Sequence, residues 1–485
     1  MVFSSPVFLF VFLPVVLALH FLLGRRFRNF MLTVASLLFY AWGEPAMVLV
    51  MIFSIVANYG FGLWLDHSRA RATAGMSTRR VMVLALVFNL GMLSFFKYTN
   101  WLWDNLSVLL VELGRAPLPA IPEVKLPLGI SFFTFHAISY LVDVYRAEVR
   151  AQRSLPDFGL YISMFSQLIA GPIVRYHHVS DQLTQRVVTT KGFAYGIRRF
   201  TVGLAKKLLI ANTLAVPSDA IFAIPGDQLP AAVAWFGIVC YTVHIYFDFS
   251  GYSDMAIGLG HMLGFRFLEN FNYPYISRTI TEYWRRWHIS LSTFLRDYLY
   301  FPLGGNRRGT ARTYFNLFTV FVLCGLWHGA AWNFVLFGVL HGSIMVVERV
   351  GLSRVIDALP SVFGHAYFLL MLMISYVLFR APDMATAGSF LQSMFGFHPD
   401  AGPANHVSLF VDNGVVVAMI AGVIGCTPWL PKVVEWRRTL DASSERVVLR
   451  RAVDFAGVAL VLGLLAFSAM ELSADTYNPF IYFRF

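Results

Sequence analysis

The sequence predicts an all-α polytopic membrane protein forming one domain over residues 1–485, and three observations carry that prediction. Its 485 residues are 57% hydrophobic and only 13% charged, with 46 Phe and a mean hydropathy of +0.63, far from soluble chains. Apolar runs near the roughly 20 residues that span a bilayer recur along the whole length. Lys and Arg gather between the runs, as the short cytoplasmic loops of a membrane protein require.

Taken in order, the apolar runs extend from Pro6 to Gly24, Ala46 to Leu65, Val81 to Phe96, Ala231 to Phe249, Phe315 to Leu326, Phe334 to Val347, Tyr367 to Phe379, Gly414 to Pro428 and Phe455 to Met470. Several are short or interrupted, which predicts tilted or re-entrant pieces. The first run lacks a basic segment before it and a small-residue cleavage site after it, so a retained first helix is expected there. Cys240, Cys324 and Cys426 all fall inside apolar runs, which argues against a disulfide framework or a cysteine metal site.

The net charge of +11 needs no nucleic acid to explain it, because positive-inside topology collects basic residues. With the N-terminus outside, Arg25, Arg26 and Arg28 fall inside, and so do Arg69, Arg71, Arg79 and Arg80 after two more crossings. Arg146, Arg150 and Arg153 return to that face, as do Lys191, Arg198, Arg199, Lys206 and Lys207. So do Lys432, Arg437, Arg438, Arg446, Arg450 and Arg451, which places the aromatic tail TYNPFIYFRF outside. Both termini are thus expected on the outer side, which is the periplasmic side if the membrane is a bacterial inner membrane. No internal repeat of roughly 20–50 residues and no matched pair of broken helices is visible. The polar stretch from Ala381 to Asn405 reads as an external loop.

The segment from Asn272 to Thr313 is unusually basic, and within it WRRWHISLSTFLRDYLYFPLGGNRRG places Trp284, Trp287, His288, Leu291, Leu295, Tyr298 and Leu299 at helical spacing. One amphipathic, interfacial helix is expected, ended by the turn formers of PLGGNRRG. His288 reads either as a site residue or as an interfacial histidine satisfied by a backbone carbonyl. In CGLWHGAAWNFVLFGVLHG, His328 and His341 lie in an apolar hairpin, and ionisable groups at membrane depth are costly enough to be functional by default. Gly325 and Gly329 flank His328; His341, near the far end, reads as structural.

In HIYFDFSGYSDMAIGLG, Asp248 is expected to pair with an arginine or histidine in the core. Met255 spoils a nucleophile elbow at Ser253, and GLGHMLG misses the dinucleotide spacing by one residue. HExxH does not occur, and the adjacent His177 and His178 cannot share one helical face, so neither a zinc hydrolase nor a nucleotide enzyme is indicated. LPLGISFFTFHAISYLVDVYR carries His136 and Asp143, and the Gly-Pro of FSQLIAGPIVRY breaks a helix. Together these islands predict a polar-lined tunnel.

These segments, with MVFSSPVFLFVFLP at the start, LIAGPIVR, YISRTITEYWRRWHISLSTFLRDYLYFPLGGNR, GLWHGAAWNF and the terminal PFIYFRF, resemble the bacterial alginate O-acetylase branch of the membrane-bound O-acyltransferases (MBOAT) almost end to end. The resemblance implies the MBOAT fold: about 11 or more membrane helices, with re-entrant or interfacial helices, around a central funnel or tunnel. The catalytic core would span residues 126–350. It implies an inner-membrane enzyme that takes an acetyl group from a cytoplasmic thioester, acetyl-CoA or an acyl carrier, and passes it outward for O-acetylation of an exported polysaccharide, alginate foremost.

Catalytic histidines carried over from the family's WHG and RWH motifs are His328 and His288. His328 is expected to take the acceptor's proton and return it to the thiolate, and His288 to orient the thioester or donate to the oxyanion. Donor or substrate contacts are expected at Trp284, Arg285, Arg286, Arg296, Asn306, Arg307, Asn333 and Asp248, with Arg308 also near; positive-inside placement accounts for the arginines equally well. No bound cofactor or metal is expected. The partners implied are a periplasmic or membrane-anchored SGNH-type acetyltransferase, a polysaccharide export and modification complex, and the bilayer. Peptidoglycan or cellulose acetylation and D-alanyl transfer to teichoic acid are the same chemistry on other acceptors. A transporter or flippase, by contrast, would form no acyl intermediate and would tolerate His328→Gln.

Overall fold

The computed structural model describes residues 1–70, 75–169, 171–397, 405–441 and 447–474, which excludes Arg71, Arg446 and the tail TYNPFIYFRF. Among the described residues there are helices and no strands. The elements that position the site are α1 (Val48–Ala70), α2 (Gly75–Glu112), α3 (Ile130–Tyr145), α4 (Thr190–Phe222), α5 (Ala231–Met262), α6 (Ile280–Arg286), α7 (Ile289–Leu295), α8 (Thr310–His328), α9 (Trp332–Val347), α10 (Ser361–Arg380) and α11 (Val447–Ser473).

Seven described helices are long and apolar enough to cross a membrane, or eight if Asn413–Gly425 and Trp429–Thr439, bent by 63°, form one broken span. By that measure the expected count of about 11 or more is not reached. Phe8–Leu22 and α3 are apolar but short. A helix enclosed by other helices can end short of the bilayer surface, because protein rather than lipid then surrounds the polar backbone at its end.

Burial sorts the spans into layers. In α5, 78% of the most apolar window is buried inside the protein, against 6% in α11, so α5 is the axis and α11 faces lipid. Large side chains such as Phe30, Trp42, Leu49, Val87 and Phe467 point outward, while Asn58, Asn89, His136, Asp143, Asp248 and His288 are buried. That inversion is what a bilayer selects, since its interior rewards no polar exposure.

α4 is a span that the apolar runs did not predict. Its Lys and Arg residues were expected on the cytoplasmic face, yet Lys207 is buried and pairs with Asp248 on α5 at 2.6 Å, while Lys206 and Arg199 both bind Asp254. The charges that masked the apolar run are neutralised by carboxylates of the neighbouring helix. Asp248 therefore pairs with a lysine, not with the arginine or histidine expected. Glycines make this contact possible: a Cβ on Gly196 would meet the Gly258 carbonyl at 2.6 Å, and one on Gly203 would meet that of Gly251 at 2.5 Å. Backbones this close are the small-residue packing by which membrane helices associate. The expected loop from Ala381 to Asn405 contains the helix Met384–Met394, capped by Asp383, and residues 398–404 of it lie outside the described residues.

Candidate active site

The RWH segment is two helices, not the single amphipathic one expected. Thr279 caps α6 by accepting from the Glu282 amide at 3.0 Å, and α6 ends at Arg286. Trp287 is extended, and His288 adopts φ 44°, ψ 52°, before α7 resumes at Ile289. A left-handed non-glycine residue costs about 1–3 kcal/mol and persists only where its surroundings impose it.

Asn270 imposes it here. Its main-chain carbonyl accepts from the Ile289 amide at 2.9 Å, and its Oδ1 accepts from the Ser290 amide at 3.1 Å and the Ser290 hydroxyl at 2.9 Å. A backbone N–H can only donate, so the atom facing Ser290 must be the amide oxygen. His288 Nδ1 lies 3.2 Å from that same Oδ1, so Nδ1 is the nitrogen that carries the proton and Nε2 keeps its lone pair. His288 is fully buried, and its Nε2 has no partner among the described residues. The imidazole is a fixed acceptor. In this tautomer, donation to an oxyanion, the other role expected of His288, requires the ring to gain a proton first.

His328 ends α8, and α9 follows after three residues. The hairpin closes tightly because Gly325 and Gly338 face each other: a Cβ on Gly325 would meet the Gly338 amide nitrogen at 2.9 Å. Trp327 lies beside both histidines, its ring 6.2 Å from His288 and 4.8 Å from His328 between centroids. Phe379 and Phe337 close the other sides of His328, at 5.1 and 5.9 Å. His288, Lys97 and His341 all lie within electrostatic range of His328.

A narrow, partly open cleft reaches His328. Lys97 of α2, the segment 127–132 leading into α3, Ile169 and Trp327 complete its wall. A rise of about 1.5 Å per residue puts His328 roughly 27 Å from Thr310, where α8 leaves the turn bearing Arg307 and Arg308. The cleft therefore lies at the helix ends remote from those arginines.

The other expected contacts divide. Trp284 is buried, and its Nε1–H donates to His341 Nδ1 at 3.1 Å. That bond places the His341 proton on Nε2, which has no acceptor among the described residues. Trp327 Nε1–H has none either. Unmade hydrogen bonds cost about 1–3 kcal/mol each, so these two donors together with His288 Nε2 mark where a ligand or water belongs.

Asn333 pins α9 to the end of α10 through the carbonyls of Leu378 and Ala381 at 3.1 and 2.9 Å. Arg286 binds Glu282 at 3.0 Å, and Arg296 binds Asp297 at 2.7 Å. Burial pushes the Asp297 carboxyl up, but hydrogen bonds from Arg296 and Arg175 prevail and hold it below the usual carboxylate range. Arg285, Asn306, Arg307 and Arg308 are exposed.

Two residues of the site were not expected from the sequence: Asn270, which nothing in FLENFNYP distinguishes from Asn272 beside it, and Lys97. For Lys97 the signal existed: an ionisable residue deep in an apolar helix. By composition the apolar run stops at Phe96, one residue short of it, while α2 continues to Glu112.

The sequence pattern of the membrane-bound O-acyltransferase family matches residues 37–359. Similar curated proteins include the probable alginate O-acetylases of Pseudomonas putida, 41% identical, and Azotobacter vinelandii, 40% identical, each over 100% of both chains. The peptidoglycan O-acetyltransferase of Helicobacter pylori is 34% identical over 82% of this chain and 80% of its own length.

Proposed function

We propose, from the premise that this chain belongs to the membrane-bound O-acyltransferase family, that it takes an acetyl group from a cytoplasmic thioester and relays it across the inner membrane for O-acetylation of an exported polysaccharide. The observation that carries this reading is the pair of buried histidines about Trp327, one fixed as an acceptor and the other reached by a cleft. Alginate is the polymer we favour, since two full-length relatives bear the name alginate O-acetylase. Peptidoglycan is the second reading, supported by the Helicobacter pylori relative.

In this mechanism the acceptor hydroxyl enters by the cleft and gives its proton to His328 as its oxygen bonds to the thioester carbonyl carbon. The carbonyl π pair moves to oxygen, then returns as the C–S bond breaks, and the thiolate takes the proton back from His328. While His328 is an imidazolium, the open lone pair of His288 Nε2 offers it an acceptor, with Asn270 holding His288 in the tautomer this requires. No metal or bound cofactor takes part. Acetyl-CoA is the donor, and the exposed Arg285, Arg307 and Arg308 supply positive charge for its phosphates on the cytoplasmic side. The outer acceptor is a periplasmic or membrane-anchored SGNH-type acetyltransferase within the export complex, and both termini are periplasmic.

The test is donor turnover by the purified protein in nanodiscs, with radiolabelled acetyl-CoA or acetylated carrier protein and a candidate partner. Thiol release that depends on the partner supports the reading. Absence of turnover with every donor and partner overturns it in favour of transport.

A further inference from the structure

The end of α8 leaves four carbonyls without intrahelical partners. The Gly325 carbonyl accepts from the Gly329 amide at 3.4 Å. The other three are satisfied by two adjacent residues of α2: Tyr98 donates its hydroxyl proton to the Leu326 carbonyl at 2.8 Å, and Lys97 Nζ donates to the carbonyls of Trp327 and His328, the latter at 3.4 Å. A cation at a helix C-terminus meets the negative end of the macrodipole, so this arrangement is electrostatically favourable as well as geometrically complete.

Capping does not exhaust Lys97. Its side chain is 8% exposed, no carboxylate among the described residues lies within ion-pair distance, and it lines the cleft beside His328. An ammonium has three N–H donors, and the two carbonyls use two of them. A buried cation with a spare donor, no counter-ion and an open cleft in front of it is arranged to meet negative charge that comes and goes.

Resting on the acyl-transfer reading, we propose that Lys97 is the electrostatic positioning residue of the site: it holds His328 through the end of α8 and offsets the negative charge that forms in the cleft during transfer. That charge appears on the carbonyl oxygen when the acceptor oxygen bonds to carbon, and leaves when the C–S bond breaks. Lys97 exchanges no proton. Its side chain holds a positive charge in place before the reaction starts, which is where electrostatic catalysis gains most.

The experiment compares K97R, K97Q, K97M and Y98F in the full chain in nanodiscs, reading kcat, donor KM and melting temperature with acetyl-CoA and the partner. K97Q keeps a donor and loses the charge; K97R keeps both. The expected result is a kcat loss of about 10- to 100-fold in K97Q and K97M with donor KM nearly unchanged, partial rescue in K97R, and a smaller loss in Y98F. Full activity in K97Q would overturn the proposal. So would activity losses across all four variants that simply follow their melting temperatures, since that pattern belongs to a cap alone. Should wild type itself fail to turn over any thioester, the acyl-transfer reading falls and this inference falls with it; wild-type turnover with an active K97Q sinks this inference only.

Discussion

Asn270 Oδ1 accepts from His288 Nδ1 at 3.2 Å while also accepting twice from Ser290, so one buried side chain sets both the backbone and the tautomer of the RWH histidine. Because Ser290 identifies the oxygen, the assignment rests on chemistry that only one orientation satisfies. Asn270→Ala should lower kcat by about 10- to 100-fold, the usual effect of removing a residue that orients a functional histidine. Asn270→Asp is more telling. A carboxylate at Nδ1 stabilises the imidazolium, raises the His288 pKa and holds Nε2 protonated to higher pH, so the acidic limb of the kcat–pH profile should move up. A profile unchanged in Asn270→Asp would contradict the assignment.

Lys207 and Asp248 join α4 to α5 inside the protein, both almost completely buried. Removing one partner leaves an uncompensated charge, so Asp248→Ala should destabilise the chain by about 3–5 kcal/mol. The double variant Asp248→Leu with Lys207→Met should recover much of that loss. Thermal unfolding in one detergent compares them, and an equally unstable double variant would point to a role other than pairing.

The same seam predicts a steric effect. A Cβ on Gly258 would meet the Gly196 carbonyl at 2.6 Å, so Gly258→Ala must push α4 from α5 and should cost about 1–3 kcal/mol. Gly457→Ala on α11, whose added Cβ would meet nothing within 4 Å, is the control and should leave the melting temperature unchanged or slightly raised.

Asp297 gives a pH dependence. Its carboxyl is raised by burial but held lower by Arg296 and Arg175, with a net depression below the usual range. A depressed carboxyl contributes stability that is fully present above its unfolded pKa and lost as pH falls through the folded value. Melting temperature should therefore drop between about pH 5 and pH 2, and Asp297→Asn should show a shallower drop over that window. Equal slopes would remove Asp297 from the account.

The spans were legible where long apolar runs dominate, as in α5, α9 and α10, because a helix at membrane depth is apolar whether lipid or other helices surround it. They were illegible in α4, where Lys206 and Lys207 find carboxylates on another helix that no local window contains. His328 stood out as an ionisable group in an apolar setting, and His288 through its place on an amphipathic helical face within a basic segment. The break between α6 and α7 did not, because helical spacing persists on paper through Trp287 and His288 while Asn270 turns the chain. Asn270 acts across 18 residues and Lys97 across 230, and contacts of that range leave no periodic trace.

The proposed acyl transfer depends on His328. Label from acetyl-CoA should reach the partner with wild-type protein, be abolished by His328→Ala, and be reduced but measurable with His288→Ala, all in protein whose melting shows it folded. Undiminished transfer by folded His328→Ala would contradict the account.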